Sequence, residues 1–272
     1  MPTEILKLAS MGDNCIDLYL DPFNVSAVGG QALNVAVTWA RSGWNTEYLG
    51  AVGDDAQGQR ILSTLTHEGV VNDRVQVLTE HTATTTIEVL ANGDRVLVHE
   101  DQGACDYFSP TEEDLAHLAS FTYIHAANLP NFRSIAKKLG AIGVPMSYDF
   151  STRHETQDLE GIDTGFYSYP SSPESDQLAA LAENAKIAGV RVVVITCGEF
   201  GSAVFEGGKR YIAKAPTVQV VDTCGAGDTF AAIFISERLR GTSVELAMEV
   251  ATERASAACL HIGAWTQATV SK

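Results

Sequence analysis

Arg191-Val192-Val193-Val194-Ile195-Thr196 decides the fold. The residues between Arg191 and Thr196 are all apolar and β-branched. No polar face remains, and such a run suits a strand covered on both sides, as in a parallel sheet between helical layers. Similar short apolar runs, bounded by turn residues, lie at 165–169, 145–150, 121–126, 47–52 and 6–11, with helical patterns between them. The alternation predicts strand-helix-strand units, and hence an α/β fold around a mainly parallel central sheet.

The helices carry start and stop signals. Ser109-Pro110-Thr111-Glu112 predicts a helix capped by Ser109, with Pro110 in its first position and Glu112 in its third, running to about Ala119. Thr242-Ser243-Val244-Glu245 reads as a second capping box, opening a helix whose Ala247, Ala251, Ala255 and Ala258 allow close packing. Gly43, Gly69, Gly143 and Gly189 follow helical patterns as terminators. One region departs from the alternation. Residues 84–90 and 95–100 are β-rich and flank Ala91-Asn92-Gly93-Asp94, whose Asn-Gly pair predicts an antiparallel hairpin. An inserted hairpin serves as a lid, an oligomer interface or a plain edge decoration.

Composition narrows the function classes. The 272 residues are 45% hydrophobic and 19% charged, enough for one large α/β domain with a buried core. A formal net charge of −16, without any run of Lys or Arg, argues against a nucleic-acid partner. A nucleotide remains compatible, because backbone N–H groups hold phosphates without a basic surface. Five scattered cysteines with no C-x-x-C pair suggest neither a disulfide framework nor a zinc site. No apolar stretch reaches membrane-span length and Met-Pro-Thr-Glu-Ile-Leu-Lys-Leu shows no cleavage signal, so a soluble, unprocessed cytoplasmic protein with no membrane partner is expected.

Asp222-Thr223-Cys224-Gly225-Ala226-Gly227-Asp228 follows a strand-like Val218-Gln219-Val220-Val221 and precedes a helix with an apolar stripe of Phe230, Ile233, Phe234 and Leu239. A glycine-rich turn at a helix N-terminus attracts anions through unpaired N–H groups and the helix dipole, so Gly225, Ala226 and Gly227 are expected to form an anion hole. Asp228 has two roles open on spacing alone: proton acceptor for an attacking hydroxyl, or helix cap. A dinucleotide fingerprint would need Gly or Ala where Phe230 stands, and no Gly-Lys-Ser/Thr occurs. Both a nicotinamide-dependent oxidoreductase and a P-loop protein lose support.

Residues 222–228 resemble the Asp-Thr-x-Gly-Ala-Gly-Asp signature of the ribokinase/PfkB carbohydrate kinase family. Gly29-Gly30-Gln31-Ala32-Leu33-Asn34-Val35-Ala36 is similar to its Gly-Gly-x-x-x-Asn-x-Ala sugar-binding segment. Gly53-Asp54-Asp55-Ala56-Gln57-Gly58 resembles its Gly-Asp-Asp-x-x-Gly region, and Thr196-Cys197-Gly198-Glu199-Phe200-Gly201 its Thr-x-Gly-x-x-Gly nucleotide loop. The resemblance implies a single ribokinase-like domain over 1–272, a three-layer α/β/α fold with a small β lid formed from segments near 14–28 and 84–104. It implies ATP-dependent phosphorylation of a sugar hydroxyl, with Mg2+, and with a monovalent cation such as K+ as a further family option. The hairpin itself predicts either lid closure over the sugar or a homodimer through paired lids.

Roles follow position by position from the resemblance. Asp228 takes the place of the family's general base, and Gly225, Ala226 and Gly227 that of its anion hole. Asp17, with Asp13 and Asn14 in the same short segment, is expected on the sugar side together with Gly29, Gly30 and Asn34. Thr196, Gly198 and Gly201 are expected to line the phosphate or ribose side of ATP, with segments near Ala258, His261 and Gly263 closing an adenine pocket. His125 and His261 lack a catalytic partner at diagnostic spacing, so their imidazoles are expected to be structural. The family's Asn-x-x-Glu metal element survives here only as Glu174 within Ser171-Ser172-Pro173-Glu174. Ser171 then takes the vacant Asn place, or Pro173 and Glu174 simply form the first turn of a helix.

Two segments narrow the substrate. Gly12-Asp13-Asn14-Cys15-Ile16-Asp17-Leu18-Tyr19 and His261-Ile262-Gly263-Ala264-Trp265 resemble bacterial fructoselysine 6-kinases. That resemblance implies the 6-hydroxyl of a fructosamine as acceptor, with ribose, fructose, ketodeoxygluconate or a nucleoside as alternatives. A non-catalytic sugar or nucleotide sensor on the same fold is the alternative from another class, and the intact Asp228 argues against it.

Overall fold

The computed structural model describes residues 6–91 and 93–271, so Asn92 of the expected hairpin turn lies outside the described residues. In chain order, β1 (Lys7–Gly12), β2 (Cys15–Tyr19) and β3 (Val25–Gly29) lead into α1 (Gln31–Arg41), and β4 (Asn45–Leu49) and β5 (Ala51–Gly53) into α2 (Ala56–His67). Next come β6 (Gln76–Leu78), β7 (Thr84–Val89), β8 (Arg95–Asp101), α3 (Glu112–Leu118), β9 (Tyr123–Ala127) and α4 (Phe132–Ile142). The chain continues through β10 (Met146–Asp149), β11 (Thr164–Ser168), α5 (Asp176–Ile187), β12 (Val192–Thr196), β13 (Ser202–Glu206) and β14 (Lys209–Ala213). It ends with α6 (Ala226–Leu239), α7 (Val244–Ala258) and the short β15 (Val270–Ser271).

Among the described residues, the main sheet is eight-stranded, in the order β14-β13-β12-β11-β10-β9-β1-β4. It is parallel from β12 to β4, whereas β13 and β14 pair antiparallel at one edge. β12 shows how its apolar run is used. Val193 and Ile195 enter a core with Leu115, Leu139 and Leu178 from α3, α4 and α5. Val192 and Val194 enter a second core with Trp39, Phe230, Phe234 and Met248 from α1, α6 and α7. One strand therefore joins two helical layers, the three-layer α/β/α arrangement.

Local chemistry shifts several boundaries. Thr111, not Ser109, caps α3, and its box partner is Asp114, because Thr111 Oγ1 and the Asp114 carboxylate satisfy each other's backbone N–H. Ser243, one residue later than expected, caps α7 by accepting from Leu246 N. The run 47–52 is divided into β4 and β5, which belong to different sheets. Residues 218–221 form no strand; instead Val221 N donates to Cys259 O at 2.8 Å. Gly43, Gly69, Gly143 and Gly189 do follow helices at positive φ, from +76° to +109°, where a side chain would be strained.

A second sheet, in the order β15-β3-β2-β7-β8, contains the expected hairpin, in which β7 and β8 pair antiparallel from Thr84 with Asp101 to Val89 with Arg95. β8 is its edge strand, and Val96, Leu97 and Val98 are exposed at 41%, 42% and 52%. Among the described residues no helix is long and apolar enough to cross a membrane.

Candidate active site

In an open α/β sheet, ligands bind beyond the carboxyl ends of the strands. Here β1 ends just before Asp13, β10 ends on Asp149 and β12 ends on Thr196. Asp13 anchors the next helix: its Oδ2 accepts from Gln31 N at 3.1 Å and its Oδ1 from Ala32 N at 3.0 Å. Those are orphan donors at the start of α1, whose N-cap, Gly30, has no side chain to satisfy them. Helix α1 then presents Asn34, whose Nδ2 donates to Asp228 Oδ2 at 2.6 Å. Residues almost two hundred positions apart in sequence, at separation 194, thus meet in one buried hydrogen bond.

Asp228 lies in the first turn of α6 and is buried. Burial pushes its carboxyl up to about 8; the charges of Asp149 and Asp13 add to the rise, while the Asn34 hydrogen bond and Arg95 oppose it. Burial likewise pushes Asp13, Asp17 and Asp149 up to about 6 each. Gly225 is the N-cap of α6 at φ +73°, and a Cβ there would meet Ala264 Cβ at 2.2 Å. A Cβ at Gly227 would meet nothing within 4 Å. The outward face of this helix start is therefore open, and its first N–H groups have no partner within the helix, with Ala226 N donating to Thr223 O in the preceding turn at 3.3 Å. That combination fits phosphate oxygens.

The remaining sugar-side candidates differ in what they do. Asp17 accepts from Cys15 Sγ at 3.2 Å and from Cys224 Sγ at 3.7 Å. Gly29 makes room for it, since a Cβ there would lie 2.2 Å from Asp17 Oδ2. Gly30, at φ +113°, makes room for the Asn14 backbone, 2.4 Å from its Cβ position. Asn14 spends its amide N–H groups on Tyr48 Oη at 3.0 Å and Ala51 O at 2.8 Å. The Oδ1 atoms of Asn14 and Asn34 are both buried without a hydrogen-bond partner in the protein, so a ligand hydroxyl is a natural donor for them.

On the other side, Thr196 Oγ1 donates to Tyr167 O at 3.3 Å. Gly198 is open around its Cβ position, whereas Gly201 is required by packing, its Cβ position lying 2.0 Å from Ala213 O. Ala258 is buried at the end of α7, His261 is half-buried, and Gly263 N donates to Asp222 Oδ2 at 2.9 Å. A groove of about 590 Å³ runs between β14 and α7, lined by Ile212, Lys214, Pro216, Met248 and Thr252. Thr252 Oγ1 is buried there without a partner. Residues 258–263 had pointed only to the far end of α7.

Glu174 is exposed, and the turn around it is pinned by Arg210, which donates to Pro173 O and to Ser175 O. Ser175 caps α5, so Pro173 and Glu174 precede the helix and are not its first turn. Among the described residues no three His, Cys, Asp or Glu side chains converge as metal ligands. His125 is fully buried against Ser147, Trp39 and Phe166, and burial pushes its imidazole down to about 3. It is a neutral core residue.

Sequence reasoning missed Asp149, Arg95 and Asp222. A carboxylate closing the apolar strand run before Phe150 was the available sign for Asp149. The sequence places Asp222 at the start of the turn, and in the structure it is a brace: Oδ2 accepts from Tyr19 Oη at 2.7 Å and from Gly263 N, and Oδ1 from Cys224 N at 2.9 Å. It joins the second sheet, the glycine turn and the C-terminal loop in one buried network.

Comparison with known proteins fits this geometry. The family model described as pfkB family carbohydrate kinase matches residues 13–139 and 148–269. The chain belongs to this family. It is an ATP-dependent sugar kinase. The kinase is 34% identical to fructoselysine 6-kinase of Shigella flexneri over 95% of its own length and 99% of that protein's. It is 28% identical to fructosamine kinase FrlD of Bacillus subtilis, covering 96% of itself and 93% of that relative. Among solved structures, Arabidopsis thaliana ribokinase complexed with ribose and ATP superposes with a TM-score of 0.80 at 24% identity, covering 96% of this chain and 95% of that one. That match establishes the ribokinase-like fold.

Proposed function

We propose that this kinase transfers the γ-phosphoryl group of ATP to the 6-hydroxyl of a fructosamine such as fructoselysine, with Asp228 as general base. The observation that carries the chemistry is the Asn34–Asp228 pair: a buried carboxylate at an open helix start, held by an amide from the segment that resembles a sugar-binding one. The similarity to fructoselysine 6-kinases and a fructosamine kinase supports the substrate class.

In this reaction the sugar oxygen forms a bond to the γ-phosphorus as the bond to the β–γ bridging oxygen breaks. The hydroxyl proton passes to Asp228, and ADP leaves. Backbone N–H groups of residues 225–227 stabilise charge on the transferring group. A raised carboxyl suits a base working near neutral pH. Asp17 and Asp13 accept from sugar hydroxyls, and the unpartnered Asn34 Oδ1 accepts another. Thr196, Gly198 and Gly201 face the phosphates and ribose. We place the adenine in the groove between β14 and α7, where apolar Ile212 and Met248 suit a purine and Thr252 Oγ1 awaits a partner. Ala258, His261 and Gly263 lie beyond the groove, at and after the end of α7.

Magnesium, when bound, neutralises phosphate charge. Such an ion needs only one or two protein carboxylates besides phosphate and water oxygens, and exposed Glu174 fits that limited part. The second sheet acts as the lid, and its β8 edge, with exposed Val96, Leu97 and Val98, pairs with the same edge of a second copy. ADP release measured with fructoselysine, ribose, fructose, ketodeoxygluconate and adenosine tests the assignment, with and without magnesium and potassium. The expected result is the highest kcat/KM for fructoselysine, magnesium dependence, stimulation by potassium, and phosphorus coupling at C6 in the NMR spectrum of the product. A higher value for another acceptor would reassign the substrate. No ADP release with any of these acceptors would favour the sensor reading.

A further inference from the structure

The acidic site draws a cation from the second sheet. Arg95, the first residue of β8, donates from Nη1 to Cys224 Sγ at 3.2 Å. Cys224 belongs to the turn that carries Asp228, and its own N–H is tied to Asp222 Oδ1 at 2.9 Å. A guanidinium on the second sheet therefore touches the turn that leads into α6. The contact is not an ion pair. Burial pushes the Cys224 thiol up, and a neutral thiol is a weak acceptor for a permanent cation. Beyond the thiol, Arg95 interacts electrostatically with Asp228, Asp17 and Asp222, which is where its charge has an effect.

We propose that Arg95 is a positioning residue for phosphoryl transfer, carried in by the β7–β8 hairpin so that its charge, set against the turn before α6, favours the proton-accepting form of Asp228. This rests on Asp228 being the base. The groups around Asp228 make the need plain: Asp149 from β10 and Asp13 from the turn after β1 oppose its ionisation, and Asn34 from α1 and Arg95 from β8 favour it. Arg153, in the loop after β10, offsets Asp13 and Asp149. Arg95 is thus a cation that bears on the base, and it sits on a hairpin at a sheet edge. Displacing the hairpin removes the charge and raises the Asp228 carboxyl further, so a larger share of the base is ionised while the hairpin covers the site. Because Arg95 retains solvent exposure, salt weakens its field without abolishing it.

The test is kcat/KM against pH for the wild type, R95M, R95K and D228N. In R95M the acid limb should move to higher pH, with a loss at about pH 6 of roughly tenfold per unit of displacement and convergence with the wild type on the alkaline plateau. R95K, which keeps the charge, should keep the limb near its wild-type position. Raising ionic strength should move the wild-type limb upward and leave that of R95M in place, a comparison that holds even if R95M yields little folded protein and R95Q replaces it. An R95M limb that coincides with the wild type, or a uniform loss at every pH, would overturn the proposal, the second result assigning Arg95 to substrate binding. An inactive D228N beside an unmoved R95M limb sinks only the role of Arg95. Wild-type turnover in D228N would instead remove the base assignment itself.

Discussion

At the residue scale the carboxylates carry different burdens. D228N keeps the size of the side chain and its contact with Asn34 but removes the base; kcat should fall by about 10²–10⁴ with the KM for ATP little changed. Equal turnover would exclude proton transfer to this group. Asp149 acts through its charge, which raises the Asp228 carboxyl. D149N should therefore move the acid limb of kcat/KM to lower pH, and a limb that stays or moves upward would show that the two carboxyls are not coupled. The neighbouring glycines make a sharper contrast. G225A puts a Cβ 2.2 Å from Ala264 Cβ at φ +73°, so its melting temperature should drop. G227A enters open space and should melt like the wild type while losing turnover, since only an incoming phosphate is obstructed. The reverse pattern would displace the anion hole from this turn.

At the element scale, the edge strand β8 and the N-terminus of α6 do the work. The hairpin exposes a row of unpaired backbone groups beside Val96, Leu97 and Val98, an edge that a soluble protein covers or charges. The proposed pairing with a second copy would cover it. Light scattering should give a dimer for the wild type and a monomer for V98K, whereas a monomeric wild type would leave the hairpin a lid alone. The same element delivers Arg95, so V98K should also raise the acid limb if pairing holds the hairpin in place. The elements that position the site were legible early because each has a local cause: the unbroken apolar run of β12, the glycine turn before α6, the Asn-Gly of the hairpin. The α3 cap was not, because Thr111 wins over Ser109 through Asp114, whose Oδ1 is also bound by Arg74 at 2.9 Å from a distant loop.

At the scale of the whole molecule, buried ionisable groups tie stability to pH. Asp13, Asp17 and Asp149 hold protons in the folded state up to about pH 6, and Asp228 up to about 8. Each such carboxyl contributes stability that declines as pH rises from its unfolded value to its folded one. His125, pushed down to about 3, works in the opposite sense, because its stability contribution grows as pH rises through the range below its unfolded value. Between about pH 6.5 and 8 Asp228 dominates, and the ligand-free protein should lose about 2 kcal/mol there. Thermal melts across that window should show the decline in the wild type and flatten in D228N; parallel curves would mean that Asp228 is already ionised. The sequence by itself determined the α/β class, the family and the glycine turn with its Asp228, since these rest on periodicity and on contiguous residues. Only the tertiary structure decided that Asn34 holds Asp228, that Gly29 and Gly30 make room for Asp17 and Asn14, and that Asp149 and Arg95 face the same carboxylate. Burial and Coulomb interactions depend on distance in space, and chain separation does not encode it.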